Sequence, residues 1–331
     1  MTGSRGELIR RLRARAGQTQ EELAGLSGIS VRAVRDIESG RVSQPRPASL
    51  DRLASALRLS ESERRQLEAT VVERRLQIGV LGPVTATRLG VPLQLGPPAQ
   101  RSLLGLLALR RNEFVSQDEI VDVLWGERPP RTCLSQAQAM AGRLRQLVEP
   151  DRAPRSPGDT LRRLRGGYLL EIRDDLVDAG RFIRLTTLAR AARSDAEASV
   201  VWAEALSCWR GPALADTQDR LRRHPAATAL ARQRVAAVLA YADAATDAGR
   251  PEISIRQLQE TATAEFHHEG LHARLILALA SAGDRAAALR QFDMIRKRLA
   301  EDFGIEPGEQ LRQAHHVVLG LSSRSASSVL S

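Results

Sequence analysis

The chain has 331 residues, 43% of them apolar but only 3% aromatic, and 49 Lys+Arg against 39 Asp+Glu give it a net charge of +10. That length allows two or three domains, with cores built from Leu, Val, Ile and Ala, and no apolar run reaches the ~18 residues of a membrane span. Lys297 is the only lysine, which excludes the Gly-Lys-Ser/Thr phosphate loop of nucleotide hydrolases, and no histidine precedes His224, so the basic half lacks the commonest general base.

The charge is unevenly placed. Residues 1–75 carry 15 Arg and 10 Asp/Glu, residues 76–173 carry 14 Arg and 9 Asp/Glu, and residues 174–331 carry 20 of each sign. All the excess lies in the first half, the asymmetry expected when one part of a chain meets a polyanion and another does not. The start, MTGSRGELIR, has no apolar signal core, and Cys133 and Cys208 read as reduced thiols. Both point to a cytoplasmic, nucleoid-associated protein.

In residues 1–75, GELIRRLRARAG places Leu8, Ile9 and Leu12 on one helical face. Thr19 and Glu22 have the spacing of a capping box, with Gly28 ending that helix. Ser30 is the expected N-cap of the next helix and Gly40 its stop; Val34 and Ile37 share its inner face, with Arg32, Arg35 and Ser39 opposite. Two more helices follow, the second capped by Ser60 and Glu63. Two short helices joined by a tight Gly turn describe a helix-turn-helix. GQTQEELAGLSGISVRAVRDIESG resembles the Cro/XRE helix-turn-helix family, over roughly residues 5–69. The resemblance implies that Ser30, Val31, Arg32 and Arg35 open the groove-entering helix. Arg32 and Arg35 would read bases or phosphates, Val31 would make apolar contact, and Gln20 would touch the backbone or an adjacent base.

Over residues 76–173 the periodicity changes. LQIGVLGPVTATRLGVPLQLG reads as short strands. Three helices follow, in PPAQRSLLGLLALRRN, in SQDEIVDVLWG (capping box Ser116/Glu119, Trp125 in the core) and in CLSQAQAMAGRLRQLVE. TLRRLRGGYLLEI is a hairpin turning at Gly166-Gly167, so the segment reads as a winged helix. On its third helix Ala137, Met140, Ala141, Leu144 and Leu147 form the inner face. The outer face, with small residues at its centre, carries Ser135, Ala139, Gly142 and Gln146, flanked by Gln138, Arg143 and Arg145. Such a face can approach a major groove about 12 Å wide. Gln136 lies at its start, and Arg162, Arg163 and Arg165 sit on the wing, where cations meet phosphates.

Residues 174–320 are nearly all amphipathic helix. DAGR and SAGD end two helices 34 residues apart, the period of a TPR-like helical hairpin. His268-Glu269-Gly270-Leu271-His272 has the H-E-x-x-H spacing of zinc proteases. Yet Gly270 weakens the helix, and position 278, where the longer pattern wants a third histidine, is alanine. No metal, cofactor or catalytic residue is assigned; one of the two histidines is expected on the surface and the other near a packing edge.

QIGVLGPV, VDVLWGERPP, GRLRQLVEPD, VDAGRF, EALSCWRGPALAD and SAGDRAAALRQFDMIRKRLAEDFGIEPGEQLRQAH are similar, in order and spacing, to the SARP family of antibiotic-pathway activators, over residues 76 to about 320. That resemblance implies a mainly α fold: an OmpR-type winged helix (76–173) and a TPR-like bacterial transcriptional activator domain (174–320), behind the helix-turn-helix (1–75) and ahead of a disordered tail (321–331). It also implies binding of direct repeats in double-stranded promoter DNA as tandem protomers or a dimer. The partner would be RNA polymerase holoenzyme with its sigma factor, and the outcome activation of a secondary-metabolite cluster. Where the family has Asn-Thr-Leu-Gln this chain has Ser135-Gln136-Ala137-Gln138, a departure that bears on the DNA sequence read. An alternative is a repressor whose helical repeats sense a metabolite or peptide.

Overall fold

A computed structural model describes residues 5–39, 47–60, 63, 76–150 and 160–320. Its residues cluster into two compact units, Met1–Gln77 with Ala86–Leu93, and Ile78–Thr85 with Gln94–Ser331. The helix stop expected at Gly40, most of the helix after Ser60 and the tail beyond residue 320 lie outside the described residues.

The first unit contains helices α1 (Arg5–Arg15), α2 (Gln20–Ser27), α3 (Val31–Glu38) and α4 (Pro47–Ala56). Leu8, Ile9, Leu12, Leu23, Val34, Ile37 and Leu53 are buried together in one aliphatic core. The local signals act as expected. Thr19 and Glu22 close a reciprocal capping box, Gly28 ends α2 in the left-handed conformation, and the Ser30 hydroxyl accepts the Ala33 N–H. The Glu63 carboxylate accepts the Ser60 N–H and O–H and an Arg15 guanidinium. The Arg15 bond, followed by those from Ser60, holds the carboxyl at about 2, well below its ordinary range.

Strands β1 (Gln77–Gly79), β2 (Thr85–Arg88) and β3 (Val91–Pro92) form a small sheet in that order. Then come α5 (Pro98–Leu109), β4 (Phe114–Ser116), α6 (Gln117–Trp125), α7 (Cys133–Val148), β5 (Leu161–Leu164) and β6 (Gly167–Leu170). The second sheet is antiparallel in the order β4-β6-β5, with Val115 and Arg163 on either side of Tyr168. Gly166 takes φ +79° at the hairpin tip, which a side chain would strain. Three helices backed by a sheet and ending in a β-hairpin make a winged helix. Two details differ from expectation. Trp125 is half-buried because α6 ends there, and Ile120, Val123 and Leu124 fill the core instead. The Ser116 hydroxyl caps Glu119 N–H, but the Glu119 carboxylate turns to Arg110 and His224.

The helical half comprises α8 (Asp178–Arg190), α9 (Asp195–Ser207), the short α10 (Asp219–Arg222), α11 (Pro225–Asp247), α12 (Ile255–Ala264), α13 (Glu269–Ser281), α14 (Arg285–Phe303) and α15 (Glu309–Leu319). The two repeat ends are equivalent. Gly249 and Gly283 both have positive φ, and each next residue donates back, Arg250 to Ala245 and Asp284 to Leu279.

This half is welded to the winged helix. The Asp178 carboxylate, at the start of α8, accepts from Val80 and Leu81 N–H at 2.8 and 3.0 Å. Asp216 accepts from Val84 N–H and from Arg101. Backbone bonds run from Arg210 to Leu81 and from Leu214 to Val80, and Gln218 N–H donates to the Ser102 hydroxyl. Gly105 on α5 matters because a Cβ there would press on Leu214 and Leu221 side chains. Buried backbone groups must find partners, and those at the β1 end find them in the helical half.

Candidate nucleic-acid interfaces

In the first unit α3 presents Arg32 (93% exposed) and Arg35, with Ser30 exposed at its N-cap. Val31 is half-buried against the core, so most of its apolar surface serves packing. Arg32 lies 3.8 Å from Asp36, a surface pair worth little. Gln20 is not idle at the head of α2. Its amide donates to Glu38 at 2.8 Å and its oxygen accepts from Arg35 at 3.5 Å. The same Glu38 carboxylate, buried in the unit, takes two bonds from Arg13, at 2.6 and 3.1 Å. Burial alone would raise the Glu38 carboxyl, but the bonds from Arg13 and Gln20 outweigh it and hold it below the ordinary range. Glu38 thus ties α1, α2 and α3 together and fixes the face that carries Gln20 and Arg35. A signal for it existed in the sequence: an acid four residues after the buried Val34, on the inner face.

In the winged helix α7 buries Ala137, Met140, Ala141, Leu144 and Val148, the last in the place expected for Leu147. Leu134, Ser135, Gln136, Gln138, Ala139, Arg143 and Gln146 are exposed. The first turn is tied to Thr132: the Ser135 hydroxyl donates to its carbonyl and the Gln136 amide to its hydroxyl. Arg143 is exposed and donates to the Gln100 side chain at 3.1 Å. Arg145 points elsewhere: it is half-buried and donates to the Leu161 carbonyl at the start of the wing, 2.9 Å away. Arg162, Arg163 and Arg165 are exposed on the wing, Arg162 paired with Glu171 across β5–β6. The geometry thus brings one polar helix face and three wing cations onto the same module.

The H-E-x-x-H histidines are absorbed by packing. His272 is fully buried, deeper than the packing edge expected for it. Gln291 donates to its Nδ1, so its Nε2 carries the proton given to the Phe266 carbonyl. Burial pushes its pKa down. His268 precedes α13, and the Glu269 carboxylate accepts the Gly308 N–H. No group of three metal-ligating side chains occurs among the described residues. No helix among them is long and apolar enough to cross a membrane.

A winged helix continuous with a helical-hairpin domain, behind a helix-turn-helix, defines a class: multidomain regulators of transcription. The comparisons place the chain within that class. Residues 177–319 match the bacterial transcriptional activator domain and residues 6–67 a helix-turn-helix domain. The chain is 34% identical to the transcriptional regulatory protein EmbR of Mycobacterium tuberculosis over 76% of its own length and 65% of the relative's. It is 33% identical to the transcriptional regulator RedD of Streptomyces coelicolor over 74% and 70%. A solved structure of M. tuberculosis EmbR with a low affinity phosphopeptide superposes with a TM-score of 0.63 at 34% identity, over 74% of this chain and 65% of that one. The chain belongs to the SARP family of transcriptional regulators. It spans slightly less than two thirds of EmbR's length.

Proposed function

We propose that the protein is a sequence-specific activator that binds direct repeats in promoter DNA and recruits RNA polymerase holoenzyme, sigma factor included, to a secondary-metabolite gene cluster. Residues 1–75 and 76–173 would serve as two DNA-reading modules and 174–320 as the effector, acting in the cytoplasm at the nucleoid as tandem protomers or a dimer. The observation that carries the reading is the joint exposure of the α7 face and the wing cations. A groove-sized helix with small residues at its centre stands beside three arginines, on a module whose counter-charges are sparse. In this assignment Ser135, Gln136 and Gln138 meet base edges, Arg143 and the wing arginines meet phosphates, and Arg145 holds the wing. In the first unit Ser30, Val31, Arg32, Arg35 and Gln20 make the second contact.

Most of the affinity would be phosphate neutralisation, which displaces counterions and makes binding fall steeply with salt. The test is a gel shift of the full chain on a duplex it selects from a random library. Arg143→Ala combined with Arg162→Ala and Arg163→Ala is expected to weaken binding at least tenfold, each contact contributing about 1–3 kcal/mol. Parental affinity in that variant sinks the winged-helix assignment.

A further inference from the structure

The wing is an edge strand of the β4-β6-β5 sheet. An edge leaves alternate backbone groups without a ladder partner. At Leu161 both outward groups are taken by side chains of α7. Its N–H donates to Glu149 Oε1 at 3.2 Å and its carbonyl accepts Arg145 Nε at 2.9 Å. The same Glu149 oxygen accepts the Thr160 N–H. On the far side Thr160 and Leu161 are fixed by β6, through Glu171 N–H to the Thr160 carbonyl at 2.7 Å and the Leu161–Leu170 register. Arg145 and Glu149 are four residues apart, so they share one face of the helix end. Together they offer an acceptor and a donor in the places a neighbouring strand would fill.

A second observation is independent of that geometry. Glu149 is the C-cap of α7, where the negative end of the helix dipole disfavours a carboxylate. A residue that breaks a local rule in a good helix is expected where a tertiary task requires it. The next described residues of the wing, Arg162 and Arg163, are two of the three wing cations.

We infer that Glu149, with Arg145 as its counterpart, is a positioning residue that sets the height of the wing arginines against the recognition helix, so that both reach one duplex in register. This rests on the DNA-binding reading above. Glu149 itself touches no DNA; it acts through Leu161 and the strand that follows.

The test uses the full chain and the selected duplex. Glu149→Ala is expected to lower affinity about tenfold and to flatten the plot of log affinity against log salt by about two, the share of two or three lost phosphate contacts at ~0.9 each. Preference for the selected duplex over random duplex, measured at low salt, is retained, because α7 still reads bases. Glu149→Gln keeps the acceptor and restores most of both losses. In a chain already carrying Arg162→Ala, Arg163→Ala and Arg165→Ala, adding Glu149→Ala changes affinity less than twofold. Parental affinity and slope in Glu149→Ala overturn the clamp while leaving the DNA-binding reading intact. So does an equal further loss in the wing-less background, which would mark a general packing defect. A parental chain with no preference for any duplex overturns both.

Discussion

The two DNA-reading modules are built on opposite plans. The first unit closes its own core with side chains from four consecutive helices, and its caps and ion pairs lie within the same 60 residues. The winged helix cannot close itself. The end of β1 gives its N–H groups to Asp178, 98 residues on, and Val84 gives its own to Asp216, 132 residues on. The first plan yields a module whose stability is local. The second couples the base-reading helix to the effector half, so a disturbance at one is felt by the other without a flexible joint between them.

The largest expected effect tests that coupling. Asp178→Ala strands the Val80 and Leu81 N–H groups and the Arg210 partner, and it is expected to cost about 3–5 kcal/mol, the loss of two or more charge-assisted bonds. Hydrogen exchange should rise together in residues 78–84 and in α8 while α2 and α3 stay protected. If only one side of the weld loosens, the two are separate domains after all. Glu38→Ala is the counterpart in the first unit. It leaves Arg13 half-buried without its carboxylate and should cost about 2 kcal/mol, with thermal unfolding of the first unit moving alone. Ser30→Ala removes the α3 cap for about 1 kcal/mol, read in the same melt, and Ser30→Gly costs only a few tenths.

The smallest effect at neutral pH separates the modules by titration. His272 is buried neutral with a lowered folded pKa, so the unfolded chain takes up a proton first. Its contribution is complete above the ordinary histidine value of 6.5 and is lost as pH falls from there through the lowered folded value. Glu38 and Glu63 are carboxyls with lowered pKa. Their contribution is complete above the ordinary 4.5 and is lost below it, for Glu63 down to about 2. Melts between pH 7 and pH 3 should show the helical half weakening before the first unit. Simultaneous weakening from pH 6.5 would contradict the assignment, and His272→Gln should abolish the upper phase.

How far the sequence could be read follows the same division. The Thr19–Glu22 box, the Ser30 cap, the Gly28 stop and the inner faces of α1 and α3 are all set within one or two turns, and their sequence signals sufficed. The equivalence of Gly249 and Gly283 was legible as a repeat. Trp125 was misplaced in the core because periodicity does not mark where a helix stops being covered. Glu149 was not singled out at all, because its partners arrive after a turn of chain.

By itself the sequence determined where helices begin and end, which faces are apolar, and that positive charge gathers at the amino end. These follow from neighbours within four residues, where capping bonds and the helical period operate. Only the tertiary structure decided that Arg143 points outward and Arg145 inward, that Glu38 and Asp178 are structural anions, and that the H-E-x-x-H pair is packing. Each of those depends on a partner brought in from elsewhere in the chain, and burial, which sets the worth of a charge, exists only once that partner is in place.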